Sequence, residues 1–510
     1  MDPLPAADPL RPLWRRPTLL GALAVGLVAL GVRLVVAAIQ PHGLYFPDSW
    51  CYVIKAEGPP CMAHDPAVGW FWSVGTFGVR SAASVLWLQA VLGIATALVL
   101  YRTLLLLSAV RWAVAGGCLF ALLPVQLLME RTFLSETVET FFLALALLAA
   151  LGALRAGDSW RALAWTAVSG GSMGCALAVH TAFLLPGLVT GAILVGLVLW
   201  RRWRALVHKA ALLVGLSAAM VLGLLLPAVP EAVAYHRWFG VWTTDVSQGT
   251  FLLTRWAPLV PCRVPVGTTP RARAEILTAC SVHSFGAPPG ITQWITWTSP
   301  FTYGVRSRQD IAREQVARTE SQLQQVATRA IASHRSAFAG QMLASLGWQL
   351  VGLPYDDLWQ YRSPRLDRFV SPWATVFPNF SQWFGPSGIP AGRPEDRTLV
   401  RAAAGTTRAG QILLWVAMAF GAWRFARRRR LHKAWFVRLT PRTAMGVLTT
   451  TMVLTSMVAV AFGTYPVFRY WAPVMPALIV LAVLAVTPAS ILAGRRAPSA
   501  VEATTAGPST

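Results

Sequence analysis

The eight residues Tyr45-Phe46-Pro47-Asp48-Ser49-Trp50-Cys51-Tyr52 put one carboxylate among aromatic rings, directly after the first long apolar run. Holding an ionisable group beside hydrocarbon costs free energy, so Asp48 is a candidate functional acid at the mouth of a helix bundle. The structural alternative is that Pro-Asp-Ser opens a short helix and Asp48 bonds backbone N–H groups. A second charged stretch runs from Glu130-Arg131 to Ser135-Glu136 and Glu139. Ser135 can cap a helix there and Glu136 can complement its dipole. Glu136 and Glu139 share a helix face, and there are more charges at this boundary than one cap needs. A third stretch, Gly463 to Pro476, sets Arg469 between Phe468 and Tyr470, a fixed cation suited to a phosphate. It reads equally as an aromatic interfacial belt with a snorkelling arginine, and Arg33 has the same two readings. His180 is either an interfacial histidine or a ligand. Arg237 and Arg255 are candidate anion contacts or plain surface charge. Asp356-Asp357 has the look of a metal-binding carboxylate pair, a pattern that also occurs in ordinary loops.

The elements that must position these residues are apolar. The chain has 510 residues, 55% hydrophobic and 13% charged, with mean hydropathy +0.52. Soluble domains carry about 25% charged residues, and several runs here exceed the ~20 residues that cross a bilayer. We therefore read an all-α polytopic membrane protein. The first run leads into His42-Gly43-Leu44-Tyr45, not into a small-residue cleavage site, so it reads as a span and not a signal peptide. The net charge of +23 suggests nucleic acid, but its distribution does not. Arg11, Arg15 and Arg16, then Arg201, Arg202, Arg204 and Lys209, then Arg427 to Arg430 fall in short loops on one side of the spans, as the positive-inside rule expects.

Ten spans are expected, with both termini cytoplasmic, near Leu19–Ile39, Ala82–Leu107, Trp112–Leu128, Thr137–Leu154, Ala162–Val179, Phe183–Trp200, Ala211–Val229, Gln411–Ala426, Thr443–Phe462 and Trp471–Leu492. Residues 1–229 form a membrane core with a first outer loop at 40–80. Residues 230–408 are an extracytoplasmic, mainly helical segment, with one helix over Asp310–Ser345. Residues 409–496 carry three more spans, and 497–510 are a disordered tail. Four cysteines fall outside, and the short-range pairs Cys51–Cys61 and Cys262–Cys280 fit disulfides, each worth about 2–3 kcal/mol.

The arrangement resembles the GT-C superfamily of integral-membrane glycosyltransferases, which includes protein O-mannosyltransferases and aminoarabinose transferases of lipid A. The matching residues are Arg33 late in the first span, Pro47-Asp48-Ser49 and Tyr52 in the first outer loop, Leu134-Ser135-Glu136 opening the fourth span, and Arg469-Tyr470 with Pro473 and Pro476 entering the last. Gly249–Cys262 looks like a stretch of actinobacterial members. The resemblance implies about ten spans, a plasma-membrane location in a bacterium, and a donor made of a sugar on a polyprenyl phosphate. It implies transfer with inversion to an extracytoplasmic acceptor, which is a protein, polysaccharide or glycolipid. Asp48 would be the general base, with Glu136 beside it, and Glu57 and Asp65 are alternative bases because Asp48 has Ser49, not a second acid, after it. Arg469, Arg131, Arg237, Arg255 and Arg33 are candidates for the donor phosphate, with Tyr52, His180 and Tyr470 nearby. No cofactor is required, since a lipid phosphate is already a good leaving group; a divalent metal is possible but not indicated, and no nucleic acid is expected. The competing readings are a transporter or flippase of a lipid-linked substrate, and a catalytically silent scaffold.

Overall fold

The computed structural model of the protein describes residues 17–41, 43–44, 49, 52, 67–79, 81–202, 209–284, 313–351, 440–463 and 468–487, with isolated positions between 402 and 419. In chain order the helices are α1 (Pro17–Ile39), α2 (Ala67–Gly75), α3 (Ala82–Leu107), α4 (Val110–Leu122), α5 (Pro124–Glu130), α6 (Glu136–Arg155), α7 (Ser159–Val179) and α8 (Leu184–Arg202). They continue with α9 (Lys209–Leu225), α10 (Val229–Phe239), α11 (Gln248–Arg255), α12 (Pro270–Ser284), α13 (Arg313–Ser333), α14 (Arg335–Val351), α15 (Pro441–Gly463) and α16 (Met475–Val486). Among the described residues the one strand-type pairing is an isolated parallel bridge between Leu44 and Thr132.

Among the described residues, seven helices are long and apolar enough to cross a membrane, and the pair α4 and α5 makes an eighth if its 52° bend is counted as one span. The chain is thus an all-α, multi-pass membrane protein, with differences from the ten expected spans. The third is broken where Pro124, lacking an N–H, follows Leu123, which is held extended with ψ 116. The seventh runs on through a 3-10 turn as Ala210–Phe239, 30 residues. At ~1.5 Å per residue that is roughly 45 Å, more than the ~30 Å of hydrocarbon, so α10 carries the chain beyond the bilayer before Gly240 ends it. Gly240 sits at φ 72, where its N–H closes on His236 O. The last expected span is 12 residues of described helix, α16, and Gln411–Ala426 lies almost wholly outside the described residues.

One apolar core runs through the bundle, from Val25 and Ala29 on α1 to Val480 and Val483 on α16. Close approach is set by small residues: on α7, Gly170-x-x-x-Gly174 packs against the backbone of Met220, Gly223 and Leu224 on α9. Where α1 meets the bundle, Gly21, Val25, Ala29 and Arg33 fall on every fourth residue and form its whole buried stripe. Its other faces expose Leu23, Leu27 and Val35, as suits a helix against lipid.

The segment expected outside the membrane, called the outer segment below, has its own core of Leu253, Trp256, Leu259, Ile276, Leu323 and Val326, drawn from α11, the 3-10 turn after it, α12 and α13. The helix expected over Asp310–Ser345 is two helices, α13 and α14, broken at His334, and Asp310 lies outside the described residues. α14 joins the two cores: Phe338 and Met342 lean on the outer one and Leu346 on the membrane one. Its Gln349 donates to Met457 O of α15 at 3.0 Å.

Candidate functional site

The polar centre of the bundle begins with the stripe on α1. Arg33 occupies the stripe's last position, so its guanidinium enters the protein and not the lipid; it is 3% exposed. Its Nη1 donates to Ala29 O at 2.9 Å and its Nη2 to Glu130 Oε1 at 2.5 Å. Glu130, 1% exposed, is the last residue of α5, and the same Oε1 accepts from Gln126 Nε2 at 3.2 Å. The position facing this pair on α3 is Gly93, where a Cβ would overlap both Glu130 and the Arg33 guanidinium.

The chain after Glu130 is bonded to the start of the first outer loop. The Leu44 N–H donates to Arg131 O at 2.6 Å and the Phe133 N–H donates to Leu44 O at 3.3 Å. Arg131 Nη2 donates to Gln40 O, and Gln89 Nε2 of α3 donates to Thr132 O at 3.1 Å. Gly43 makes the approach possible: its φ is +71, and a Cβ there would press on Leu86 and Arg131 O. Further along the loop, Ser49 and Tyr52 are buried, and the Tyr52 ring meets Trp72 of α2 edge-on at 5.9 Å. Trp72 in turn meets Phe133 at 6.2 Å. The described positions on both sides of Asp48 are therefore held against the turn that opens α6. Asp48 itself, with Glu57, Asp65, Cys51 and Cys61, lies outside the described residues.

On that turn, Glu136 and Glu139 are both buried in the first turn of α6. Ser135 sits at the N-cap position, but its side chain makes no capping bond, unlike Asp158, which accepts from the Arg161 N–H at 2.7 Å to cap α7. The expected break between the fifth and sixth spans is present: α7 ends at Val179, His180 caps it, and a 3-10 turn over Thr181–Phe183 leads into α8. The His180 ring lies 6.0 Å from that of Tyr470, which belongs to the 3-10 turn Phe468–Trp471 before α16. Arg469 is in this turn, and its side chain is outside the described set. α16 packs on α3, α4 and α6, and α15 on α6, α8 and the Thr181–Phe183 turn.

Several expectations change. Arg33 was a candidate for donor phosphate, yet both its Nη groups are bonded to protein acceptors inside the bundle. Arg131 is likewise buried and ties Gln40. Arg255 is buried elsewhere: its Nε and Nη2 donate to Ala461 O of α15 at 3.2 and 2.9 Å, Nη2 also reaches Ser345 Oγ, and the guanidinium lies 4.5 Å over the Trp256 ring. It joins the outer segment to the end of α15. Arg237 is exposed on α10, away from these contacts. Cys262 and Cys280 do come together, but as neighbouring thiols with no disulfide between them, and Cys280 Sγ donates to Val260 O at 3.8 Å. Burial and the hydrogen-bonded Cys262 neighbour push the Cys280 thiol up to about 12. No cluster of three or more metal-ligating side chains occurs among the described residues, and Asp356-Asp357 lies outside them.

Sequence reasoning missed Gln89, Gly93 and Gln126. A glutamine inside an apolar span is a usable signal, because such a group needs a partner there. Gln126 and Glu130 are also four apart on one helix. The role of Gly93 left no such mark.

No family model matches the chain, and no curated protein does. Among solved structures, it superposes on the archaeal oligosaccharyltransferase AglB from Archaeoglobus fulgidus, solved with an inhibitory peptide and a dolichol-phosphate, with TM-score 0.41 and 13% identity over 91% of this chain. The chain spans about half the length of that protein, 50%. It also superposes on ArnT from Cupriavidus metallidurans, in the apo state with TM-score 0.30 and bound to undecaprenyl phosphate with TM-score 0.31. Both ArnT matches have 16% identity and cover 92% of this chain and 77% of that one.

Proposed function

We propose that the chain is a membrane glycosyltransferase that moves a sugar from a polyprenyl-phosphate donor to an acceptor hydroxyl on the extracytoplasmic face. The observation that carries this reading is the fastening of the first outer loop, at residues flanking Asp48, onto the turn that opens α6. That contact joins two of the four stretches on which the resemblance to GT-C enzymes rests. The third and fourth are represented by Arg33 beneath the turn and by Tyr470 against His180.

In this reading the acceptor oxygen attacks the anomeric carbon as the bond from that carbon to the phosphate oxygen breaks. The lipid phosphate leaves with the electron pair, the configuration inverts, and Asp48 takes the hydroxyl proton. A positioned base is worth about 10²–10⁴-fold. Arg469 is the cation for the growing phosphate charge, with His180 and Tyr470 beside its turn and Glu136 as the neighbouring acid. The arginine clusters favour cytoplasmic termini.

The test is turnover of a polyprenyl-phosphate-linked sugar in membranes carrying wild type, Asp48→Ala or Asp48→Asn. Loss of about a hundredfold or more in both variants is expected; wild-type turnover in both would remove Asp48 as base. One observation favours a transporter of a lipid-linked substrate instead, namely the α4–α5 break beside a buried ion pair, since broken helices mark transporter sites. Passage of labelled polyprenyl phosphate across vesicles without transfer would decide for that reading.

A further inference from the structure

We infer that Gly93, Glu130 and Gln89 are positioning residues that set where the first outer loop stands, and this inference rests on the proposed transfer reaction only for its effect on turnover. The described contacts of all three are with the turn and with the helices around it, one step removed from the loop. Glu130 ends α5 and Arg131 caps it, so fixing the Glu130 carboxylate fixes the carbonyl to which the Leu44 N–H donates. Arg33 and Gln126 hold that carboxylate from two other directions. Gln89 holds the next carbonyl, that of Thr132, the residue bridged to Leu44. The bare backbone at Gly93 leaves the space in which Glu130 and Arg33 meet.

Each link is buried, and a buried amide or carboxylate has few other partners, so losing one shifts the turn. Through the described residues the loop meets this turn by the Leu44 bonds and by Arg131 Nη2 on Gln40 O. Its register against α6 therefore depends on residues one and two layers deeper. A base carried on such a loop loses rate when it is displaced, whereas a lipid tail held by apolar helices does not.

The experiment compares full-length wild type, Gly93→Ala and Gln89→Met in nanodiscs by hydrogen exchange, undecaprenyl phosphate binding, and turnover of polyprenyl-phosphate-linked sugar. Exchange in peptides covering Leu44 and Phe133 is expected to rise roughly tenfold or more, the effect of losing one buried hydrogen bond on local opening. Peptides within 143–155 should keep their protection and undecaprenyl phosphate its affinity. Turnover should fall by about tenfold in Gln89→Met and about a hundredfold in Gly93→Ala, as for a misplaced catalytic group. Gln89→Met removes a single hydrogen bond and so tests the same point where Gly93→Ala fails to fold. Unchanged local exchange in Gln89→Met, or faster local exchange with wild-type turnover, would overturn the inference. Changed exchange in a protein whose wild type transfers no sugar would defeat the transfer reaction and leave the loop anchor standing.

Discussion

The membrane bundle and the segment built on α11, α12 and α13 both bury charge, and they surround it differently. In the bundle, Arg33 and Glu130 meet from helices far apart in sequence, in a space that one glycine keeps open. In the outer segment, Glu275 and Glu320 are also buried, but they converge on Thr250 at the start of α11. Its N–H donates to Glu320 Oε2 at 2.9 Å, and its hydroxyl is 2.8 Å from Glu320 Oε1 and 3.1 Å from Glu275 Oε2. Arg271 adds a bond to Glu275 at 3.3 Å. A carboxylate outside the hydrocarbon can be met by a hydroxyl and a helix N-terminus. Glu275 has Arg271 in addition to the Thr250 hydroxyl, while Glu130, inside the bundle, is met by the Arg33 cation and Gln126. The first arrangement tolerates adjustment, while the second fixes position.

Breaking that contrast should cost most in the bundle. Arg33→Ala leaves a buried carboxylate without its cation, and about 3–5 kcal/mol of stability should go with it. Thermal unfolding followed by tryptophan fluorescence in detergent should show a large drop, partly restored in Arg33→Lys. An unchanged midpoint would mean that the pair adds nothing to stability.

Arg255 tests the junction between the two regions. Arg255→Ala removes the bonds to Ala461 O and Ser345 and the stacking on Trp256, about 1.5–3 kcal/mol for a buried charged donor. The outer segment should then be cut sooner in limited proteolysis, with the bundle midpoint little moved. If proteolysis is unchanged, the outer segment is held by its apolar core alone. Thr250→Val should cost less, about 1–2 kcal/mol, because Arg271 and the Thr250 N–H still face the two acids. Thr250→Ser should recover most of it, and failure to recover would show that shape and not the hydroxyl matters.

The apolar helices were legible because composition and length decide them: Ala82–Leu107 has the same ends in sequence and structure, and Pro17–Ile39 is two residues longer at one end. The break at His180 was legible from the arginine clusters on either side of it, since one long helix would have put them on opposite faces of the membrane. The bend at Pro124 was not taken from the sequence, although an X-Pro step inside an apolar run is a known signal. The break at His334 was harder, because its neighbours Ala330, Ala332 and Ser333 all suit a helix. Least legible was the site's support. Gly93, Glu130 and Arg33 are adjacent only after three helices pack, and no local pattern carries that information. Arg33 illustrates the gap: its place late in the first span was read from the sequence, but the buried stripe it ends and its partner Glu130 were not.

The smallest expected effect lies in the thiol pair of the outer segment, and it sharpens the contrast by pH. The Cys280 thiol stands about 12 where an ordinary thiol has 9.0, because burial and then the Cys262 neighbour disfavour the thiolate. Between those values the folded chain holds a proton that the unfolded chain has released. Stability from this group is therefore complete below pH 9 and declines as pH rises toward 12, the direction that linkage requires when the native state binds more protons. Labelling should show the same asymmetry: exposed Cys262 reacts with a membrane-impermeant alkylating reagent at neutral pH, and buried Cys280 reacts only as the pH approaches its own range. Equal rates at neutral pH would show that the α12 face around Cys280 opens freely. A mass lower by two hydrogens, with neither thiol labelled, would show that the pair oxidises to a disulfide in the cell envelope. In that event the outer segment would be braced by a covalent link, where the bundle relies on Arg33 and Glu130.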